Sequence, residues 1–347
     1  MGWKVKLQDV IAKHNSMHAV RDKSVSFETM QQRSEILFRC FKELHAKGYT
    51  IQDPHNLGLR HVKSLVQGWT EKGLSASAIQ NNLSALRTFS GWIGKPGMVP
   101  PTSEIAPDAR RSSIAAEDKS WAGAAVDKEQ VFAKIDKIDP FVGQQVRVMD
   151  AFGLRRKEAI MFKPHLADRG AYVETPTGAV FPLPPAPSDG SRPGNSSGET
   201  AQGAAVAGPP VVHVEGGTKG GRTRNVDLRF MPDAAQRALV LENAKQFVLK
   251  TQGKDGFLGN PSLSLKQNIK RFENVMARAG VTARGLGVTS HGLRHGVAQA
   301  AFRELAHQDP PVQGGPTIKG DAALVERNRV SSILGHSRPQ ITRAYIG

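Results

Sequence analysis

From residue 176 to residue 210 the chain reads PTGAVFPLPPAPSDGSRPGNSSGETAQGAAVAGPP. This run holds too few large apolar side chains to offset the entropy of ordering it, so it reads as a disordered excursion. Any core must come from the sequence on either side. A second aperiodic run, GKPGMVPPTSEIAPDARRSS, is rich in Pro and polar residues and reads as part of a linker over 94–119. With 347 residues the chain exceeds one ordinary core. The expected organisation is therefore a domain at 1–93, the linker, and a second domain at 120–347 that carries the insertion at 176–210.

The first domain is periodic. FETMQQRSEILFRCFKELHAKG places apolar residues at three and four spacing and stops at Gly48, as an amphipathic helix does. In LSASAIQNNLSALRTFSGWIG, Ser75 or Ser77 can cap a helix. Ile79, Leu83, Leu86 and Phe89 or Ser90 then track one face, leaving Gln80, Asn81 and Arg87 outward. In the second domain DKEQVFAKI and PFVGQQVRVMDAFGLRRKEAIMF read as helices. AYVE, VVHVEGG and TRNVDL read as short strands, the first two separated by the insertion, and two or three helical segments follow from about 232. An insertion at a hairpin tip costs little. The predicted fold class is mainly α with a small antiparallel β-sheet, a helical domain followed by a mixed α+β domain.

Lys and Arg number 47 against 31 Asp and Glu, for a formal charge of +16. That excess favours a polyanionic partner, nucleic acid or an anionic membrane surface. No run approaches the roughly 18 apolar residues of a spanning helix, and MGWKVKLQDV lacks the apolar core of a signal peptide. The expected location is the cytoplasm or nucleoid, without a membrane partner. The single cysteine, Cys40, permits no internal disulfide and no cysteine-based metal site. Within FRCFKEL it reads as a small buried residue.

Four motifs carry chemistry. In FGLRRKEAI, Glu158 follows Arg155 by three positions, a helical spacing that pairs them, either to fix the arginine or as an exposed surface pair. EGGTKGGRTRNVDL nearly matches a phosphate-binding P-loop, but Arg222 stands where the lysine belongs and the continuation is strand-like. No nucleotide site is expected there. What remains is a tight hairpin, a generic basic turn or a mount for Lys219 between glycines. In TSHGLRHGVAQAAF, behind Thr289 or Ser290, His291 and Arg294 share a helical face and can reach one external group, with phosphate the natural candidate. His295 reads as structural, and a metal site at His291 and His295 lacks the glutamate of an H-E-x-x-H pair. In ILGHSRPQITRAYIG, His336 follows a Leu-Gly turn and Tyr345 lies nine residues on, one of only three tyrosines.

Taken in order, Arg155 with Glu158, Lys219 on its hairpin, H-x-x-R, L-G-H and Tyr345, five elements over about 120–347, resemble the tyrosine recombinase family, the phage integrase and Xer group, and most of all integrases of bacterial mobile elements. The first domain is similar to that family's core-binding domain through LSASAIQNNLSALRTFSGWIG. The resemblance implies that Arg155, Lys219, His291, Arg294 and His336 activate a phosphate, with Glu158 supporting, and that Tyr345 is the nucleophile. It implies cutting and rejoining of double-stranded DNA through a 3′-phosphotyrosyl ester without metal, ATP or other cofactor, by a homo-oligomer, a tetramer on DNA. Lys72, Asn81, Arg87, Arg222 and Arg224 are the candidate duplex contacts. Relatives carry a further C-terminal segment that packs on a neighbouring protomer; two residues follow Tyr345 here, so another contact or a shortened chain is expected. A noncatalytic DNA-binding accessory protein of the same fold and a type IB topoisomerase-like relaxing enzyme remain the alternatives.

The chemistry suits those residue types. Arginines stay charged and donate paired hydrogen bonds to phosphoryl oxygens. A phenol ordinarily holds its proton at neutral pH and needs a nearby base or cation, for which His336 or His291 can serve. A lysine ammonium is a natural acid for a departing 5′ oxygen.

Overall fold

A computed structural model describes residues 2–19, 22–170, 172–174, 180–182, 211–317, 320–336 and 338–347, and of 172–174, 180–182 and 320–324 the backbone alone. The chain forms two compact units, Met1–Ser112 and Ser113–Gly347.

Unit 1 is built from α1 (Trp3–His14), α2 (Phe27–Ala46), α3 (Leu59–Glu71), α4 (Ala76–Trp92) and the single turn α5 (Thr102–Ile105). Ser26 caps α2 by accepting from the Thr29 amide at 3.3 Å, and the chain leaves the helix through Gly48 at φ +86°. Ser75 does the same for α4 through the Ala78 amide. The apolar faces meet in one core: Leu37, Phe41 and Leu44 of α2, Leu65 and Trp69 of α3, and Ile79, Leu83, Leu86 and Phe89 of α4. Phe41 and Phe89 pack edge to face at 5.7 Å. Cys40 is buried in that core, and burial pushes its thiol up to about 12, so it packs as a neutral group.

The aperiodic run after Gly94 departs from the expected linker. Val99, Ala106 and Ala109 are buried in the unit 1 core. Arg87, read as outward and as a duplex contact, instead donates from Nε and Nη2 to the Pro100 carbonyl at 3.2 and 2.5 Å, and from Nη2 to Thr102 Oγ1 at 3.1 Å. Gln80 donates to the Ala109 carbonyl at 2.6 Å. A segment without a helical or strand period can still be held in place when side chains of a neighbouring helix satisfy its backbone carbonyls.

Unit 2 contains α6 (Lys128–Ile138), α7 (Pro140–Phe152), α8 (Arg156–Ile160), α9 (Pro164–Ala167), β1 (Tyr172–Glu174), β2 (Val180–Pro182), β3 (Val211–Val214), β4 (Arg224–Asp227), α10 (Ala234–Thr251), α11 (Leu265–Ala279), α12 (His291–Ala306), α13 (Gly320–Leu334) and α14 (Arg343–Ile346). Asp139 caps α7 through the Phe141 and Val142 amides, with Pro140 at the first helical position where its missing donor costs nothing. Val142, Val146, Met149 and Phe152 of α7 face Leu293, Val297, Ala301 and Phe302 of α12 across the core.

The strands form two antiparallel pairs, β1 with β2 and β3 with β4, the latter in the register Val212↔Val226 and Val214↔Arg224. Tyr172–Glu174 thus pairs with Val180–Pro182, inside the stretch expected to be an excursion, while the residues just ahead of it meet VVHV, Asp168 opposite Val212 and the Arg169 amide donating to the Val211 carbonyl at 3.1 Å. A strand partner a few residues away closes a smaller loop than one beyond the insertion. The rest of 176–210 lies outside the described residues.

Replacing Arg87 with Met should accelerate hydrogen exchange of the Ala106 and Ala109 amides at least tenfold relative to amides in the middle of α4. Unchanged protection would show that the arginine does not hold the segment.

Candidate active site

The site begins where α7 ends. Gly153 adopts φ +61°, a left-handed C-cap that turns the chain so that Leu154 is buried and Arg155 opens α8. Glu158 in the first turn of α8 is fully buried. Its Oε2 accepts from the Arg155 amide at 2.8 Å and from Arg224 Nη2 at 2.7 Å, while Oε1 accepts from Arg155 Nη1 at 2.6 Å. Burial alone would raise this carboxyl. The hydrogen bond and charge of Arg224, then the amide and guanidinium of Arg155, outweigh it and hold the group at about 2.

Arg224 was expected to face DNA. It lies inside: its Nη2 is spent on Glu158 and its Nε donates to the Ile333 carbonyl at 3.1 Å. The cause is strand alternation, which points Arg224, Val226 and Leu228 to the same buried side. The glycines of the neighbouring turns permit the fit. A Cβ on Gly217 would lie 2.7 Å from the Lys157 carbonyl oxygen, and one on Gly335, at φ +65°, would lie 2.6 Å from Arg224 Cδ. The Gly-rich run that imitates a nucleotide loop therefore serves close backbone packing against α8.

Arg294 is fully buried on α12. It donates from Nη1 to the Gly153 carbonyl and from Nη2 to the Leu334 carbonyl, joining the ends of α7 and α13. Its Nη2 also lies 3.3 Å from His336 Nε2. Because a guanidinium can only donate, Nε2 of that imidazole is the acceptor and its proton resides on Nδ1. The Arg294 Nε is buried with no protein partner. Burial, then the charges of Arg155 and Arg224, lower Arg294 to about 10, which leaves it charged at neutral pH.

Tyr345, on α14, inserts into this cluster within the same chain. Its ring lies 5.4 Å from that of His336, 4.6 Å from that of His295 and 5.9 Å from the Arg294 guanidinium, and its Oη is 3.4 Å from His291 Nε2. The tyrosine is 7% exposed. All three imidazoles are pushed down, chiefly by burial and then by neighbouring cations or imidazoles, His291 and His295 to about 4 and His336 to about 3. Three guanidiniums with one internal carboxylate and neutral imidazoles leave the cluster with an excess of positive charge, which suits an anion.

The fold thus brings together Arg155, Glu158, His291, Arg294, His336 and Tyr345. Lys219 sits exposed on the short turn Lys219–Gly221 at the hairpin tip, with no bond to the cluster among the described contacts, and Arg222 is exposed beside it. In unit 1, Lys72 pairs with Glu43 at 2.9 Å and Asn81 is exposed. Sequence reasoning missed Arg224 as a cluster member, and His295 and Gln299 as neighbours of the tyrosine. The signals were present: the period of two in RNVDL, and polar residues four apart at 291, 295 and 299 along α12.

Residues 11–99 match the family model for the phage integrase N-terminal domain, and residues 110–300 match that for integrase. The chain belongs to the integrase family of tyrosine recombinases. The second match spans Arg155, Glu158, Lys219, His291 and Arg294; His336 and Tyr345 lie beyond it. Among solved structures, the chain is similar to a lambda integrase(75-356) dimer bound to a COC′ core site. The TM-score is 0.55 at 13% identity, covering 98% of this chain and 95% of that one. It is also similar to a lambda integrase tetramer bound to a Holliday junction, with a TM-score of 0.53 at 11% identity over 98% of this chain and 77% of that one. At such identities the likeness defines the fold. No curated protein sequence matches the chain. Among the described residues no helix is long and apolar enough to cross a membrane.

Two outcomes follow for the free protein. Glu158→Gln removes the buried anion between Arg155 and the buried Arg224 and should cost about 3–5 kcal/mol in urea unfolding; a loss within 1 kcal/mol would mean that the cluster does not depend on it. The histidines bind protons in the unfolded chain near 6.5 but in the folded one only near 4 and below. Stability should therefore be full above about pH 6.5 and decline as pH falls toward 4, with Glu158 extending the decline from about 4.5 toward 2. Thermal melts across that range, compared with a His295→Phe variant whose decline should be shallower, measure it.

Proposed function

We propose that this chain is a site-specific DNA recombinase that cuts and rejoins duplex DNA with Tyr345 as the nucleophile. The observation that carries the reading is the position of the tyrosine hydroxyl, 3.4 Å from His291 and in the same cluster as Arg155 and Arg294. Double-stranded DNA is the partner, and the lambda integrase dimer and tetramer on DNA support an oligomer working across two or more sites.

In the reaction, Tyr345 Oη attacks the phosphorus and the bond from phosphorus to the 5′ oxygen breaks. The products are a 3′-phosphotyrosyl ester and a 5′ hydroxyl. Arg155, half-exposed, and Arg294, with an unspent Nε, donate to nonbridging oxygens and stabilise the charge of the transition state. His291 Nε2 takes the phenolic proton. Its neutral state in the free protein leaves it able to accept, and an arriving phosphate anion opposes the cationic field that depresses it. His336 accepts from Arg294 and fixes that guanidinium beside the ring. Lys219, on a hairpin tip flanked by Gly220 and Gly221 at φ +73° and +68°, delivers the proton to the leaving oxygen once the hairpin meets DNA. One phosphate ester replaces another, so a 5′ hydroxyl from a second strand can reverse the step without ATP. The exposed lysine and arginine excess supplies salt-sensitive, sequence-independent affinity.

Nicked duplexes tiled across the DNA flanking the gene test the proposal, because the nick lets the 5′ fragment diffuse away and traps the adduct. Wild type should form a covalent adduct with a subset of them and Tyr345→Phe none. Lys219→Ala should slow the adduct about a hundredfold or more with its melting temperature unchanged, and should recover when sulfur replaces the bridging 5′ oxygen, since a thiolate leaves without a proton. Tight binding with no adduct on any duplex would favour a noncatalytic accessory protein. Relaxation of arbitrary plasmids by a monomer would favour a topoisomerase.

A further inference from the structure

Gln299 is a buried amide on α12 that the reaction above does not use. Its Nε2 donates to the backbone carbonyl of Tyr345 at 3.2 Å and to Asp118 Oδ1 at 2.7 Å, and its Oε1 accepts from Gln313 Nε2 at 3.1 Å. Gln313 Nε2 also donates to Asp118 Oδ2 at 2.9 Å, and Gln313 Oε1 accepts from Arg303 Nη2 at 2.7 Å. The remaining demand on Asp118 is met by the Ser120 amide at 2.9 Å. Each amide end is fixed by what it meets: a carboxylate and a carbonyl can only accept, so both donors must point at them. The network has one arrangement, and a buried polar network of that kind specifies position because any other arrangement leaves a group unpaired.

The same helix touches the tyrosine at three levels, each four residues apart. His291 meets the hydroxyl, His295 packs against the ring at a tilt of 40° with centroids 4.6 Å apart, and Gln299 holds the main chain. Four-residue spacing places all three on one line of α12. A second strut comes from the segment that precedes α6: the Ala115 amide donates to the Arg343 carbonyl at 2.9 Å, at the start of α14, while Trp121 Nε1 donates to the Thr289 carbonyl at 2.8 Å, just ahead of α12. Segment 115–121 thus ties the helix of the nucleophile and the helix of His291 and Arg294 to one another.

We infer that Gln299 and Asp118, braced by Gln313, are positioning residues that set the reach of Tyr345 toward the phosphate by holding the Tyr345 carbonyl against α12. This rests on Tyr345 being the nucleophile, yet it concerns residues that touch neither phosphate nor hydroxyl. A main-chain anchor two bonds from the Tyr345 Cα limits where the ring can swing, so loosening it lowers the fraction of time in which the hydroxyl is in line, while leaving the duplex-binding surface intact.

The test uses the full chain with ring-labelled tyrosine, of which there are three, Tyr49, Tyr172 and Tyr345, the last assigned by its loss in Tyr345→Phe. In Gln299→Met, which keeps the shape of the side chain and deletes its hydrogen bonds, the Tyr345 ring resonances should leave their imidazole-shifted positions for those of an unconstrained tyrosine. The adduct rate on the nicked duplexes should fall at least tenfold while affinity for the same duplexes stays within twofold. Gln313→Leu, which removes the brace without touching Tyr345, should do the same more weakly, so a folding defect in the first variant does not decide the matter. Unmoved Tyr345 resonances and an unchanged adduct rate in both variants would overturn the assignment, as would a rate loss matched by an equal loss of affinity. Resonance shifts in the variants of a protein whose wild type forms no adduct would uphold the anchor and reject the recombinase reading instead.

Discussion

The carboxylate of Glu158 is the constraint on which the site depends. It is a fully buried anion between Arg155 and Arg224, and without it the buried guanidiniums of Arg224 and Arg294, with the partly exposed one of Arg155 beside them, would lie together at a desolvation cost no hydrogen bond to a carbonyl repays. With it, α8 and β4 are fixed relative to each other, and Arg224 can reach on to the Ile333 carbonyl of α13. The turn that follows α13 then delivers His336, and a few residues later Tyr345. The order of causation runs from one internal carboxylate to the placement of groups far away in sequence.

That order explains what could be read from residues alone. Arg155 with Glu158, and His291 with Arg294, are helical neighbours, so their spacing carried their geometry. The caps at Ser26 and Ser75, the stop at Gly48 and the apolar stripe of α4 were legible for the same reason: each is a local event. Arg224 was misplaced because a basic residue near a turn looks solvent-facing until its strand register is known, and the register depends on pairing with Val214. The run after Gly94 has no period yet is packed, because Gln80 and Arg87 supply the bonds its backbone lacks. That Tyr345 meets His291 in the same chain is a contact across 54 positions, set by α13 and the turns around it, and no local pattern announces it.

The electrostatic arrangement divides labour between two kinds of nitrogen group. Positive charge comes from guanidiniums, which stay charged, whereas the imidazoles are held neutral by burial and by those guanidiniums. The field of the cluster is therefore insensitive to pH around neutrality, while the imidazole proposed to take the phenolic proton has an affinity for protons that responds to whichever anion enters. A lysine kept outside on a glycine-flanked tip completes the separation: the group proposed to donate a proton is not buried among the groups proposed to stabilise charge.

Gly335 carries a consequence of another kind. Its only substituents are hydrogens because the stem of Arg224 occupies the space where a side chain would begin. Such a point is ruled by volume and not by chemistry, so drift elsewhere along the chain is free to erase nearly every recognisable letter while a handful of crowded backbone crossings stay closed to substitution. An architecture pinned at such crossings can survive down to the 11–13% of shared residues seen with the lambda structures, because each crossing constrains one backbone position and leaves its neighbours free.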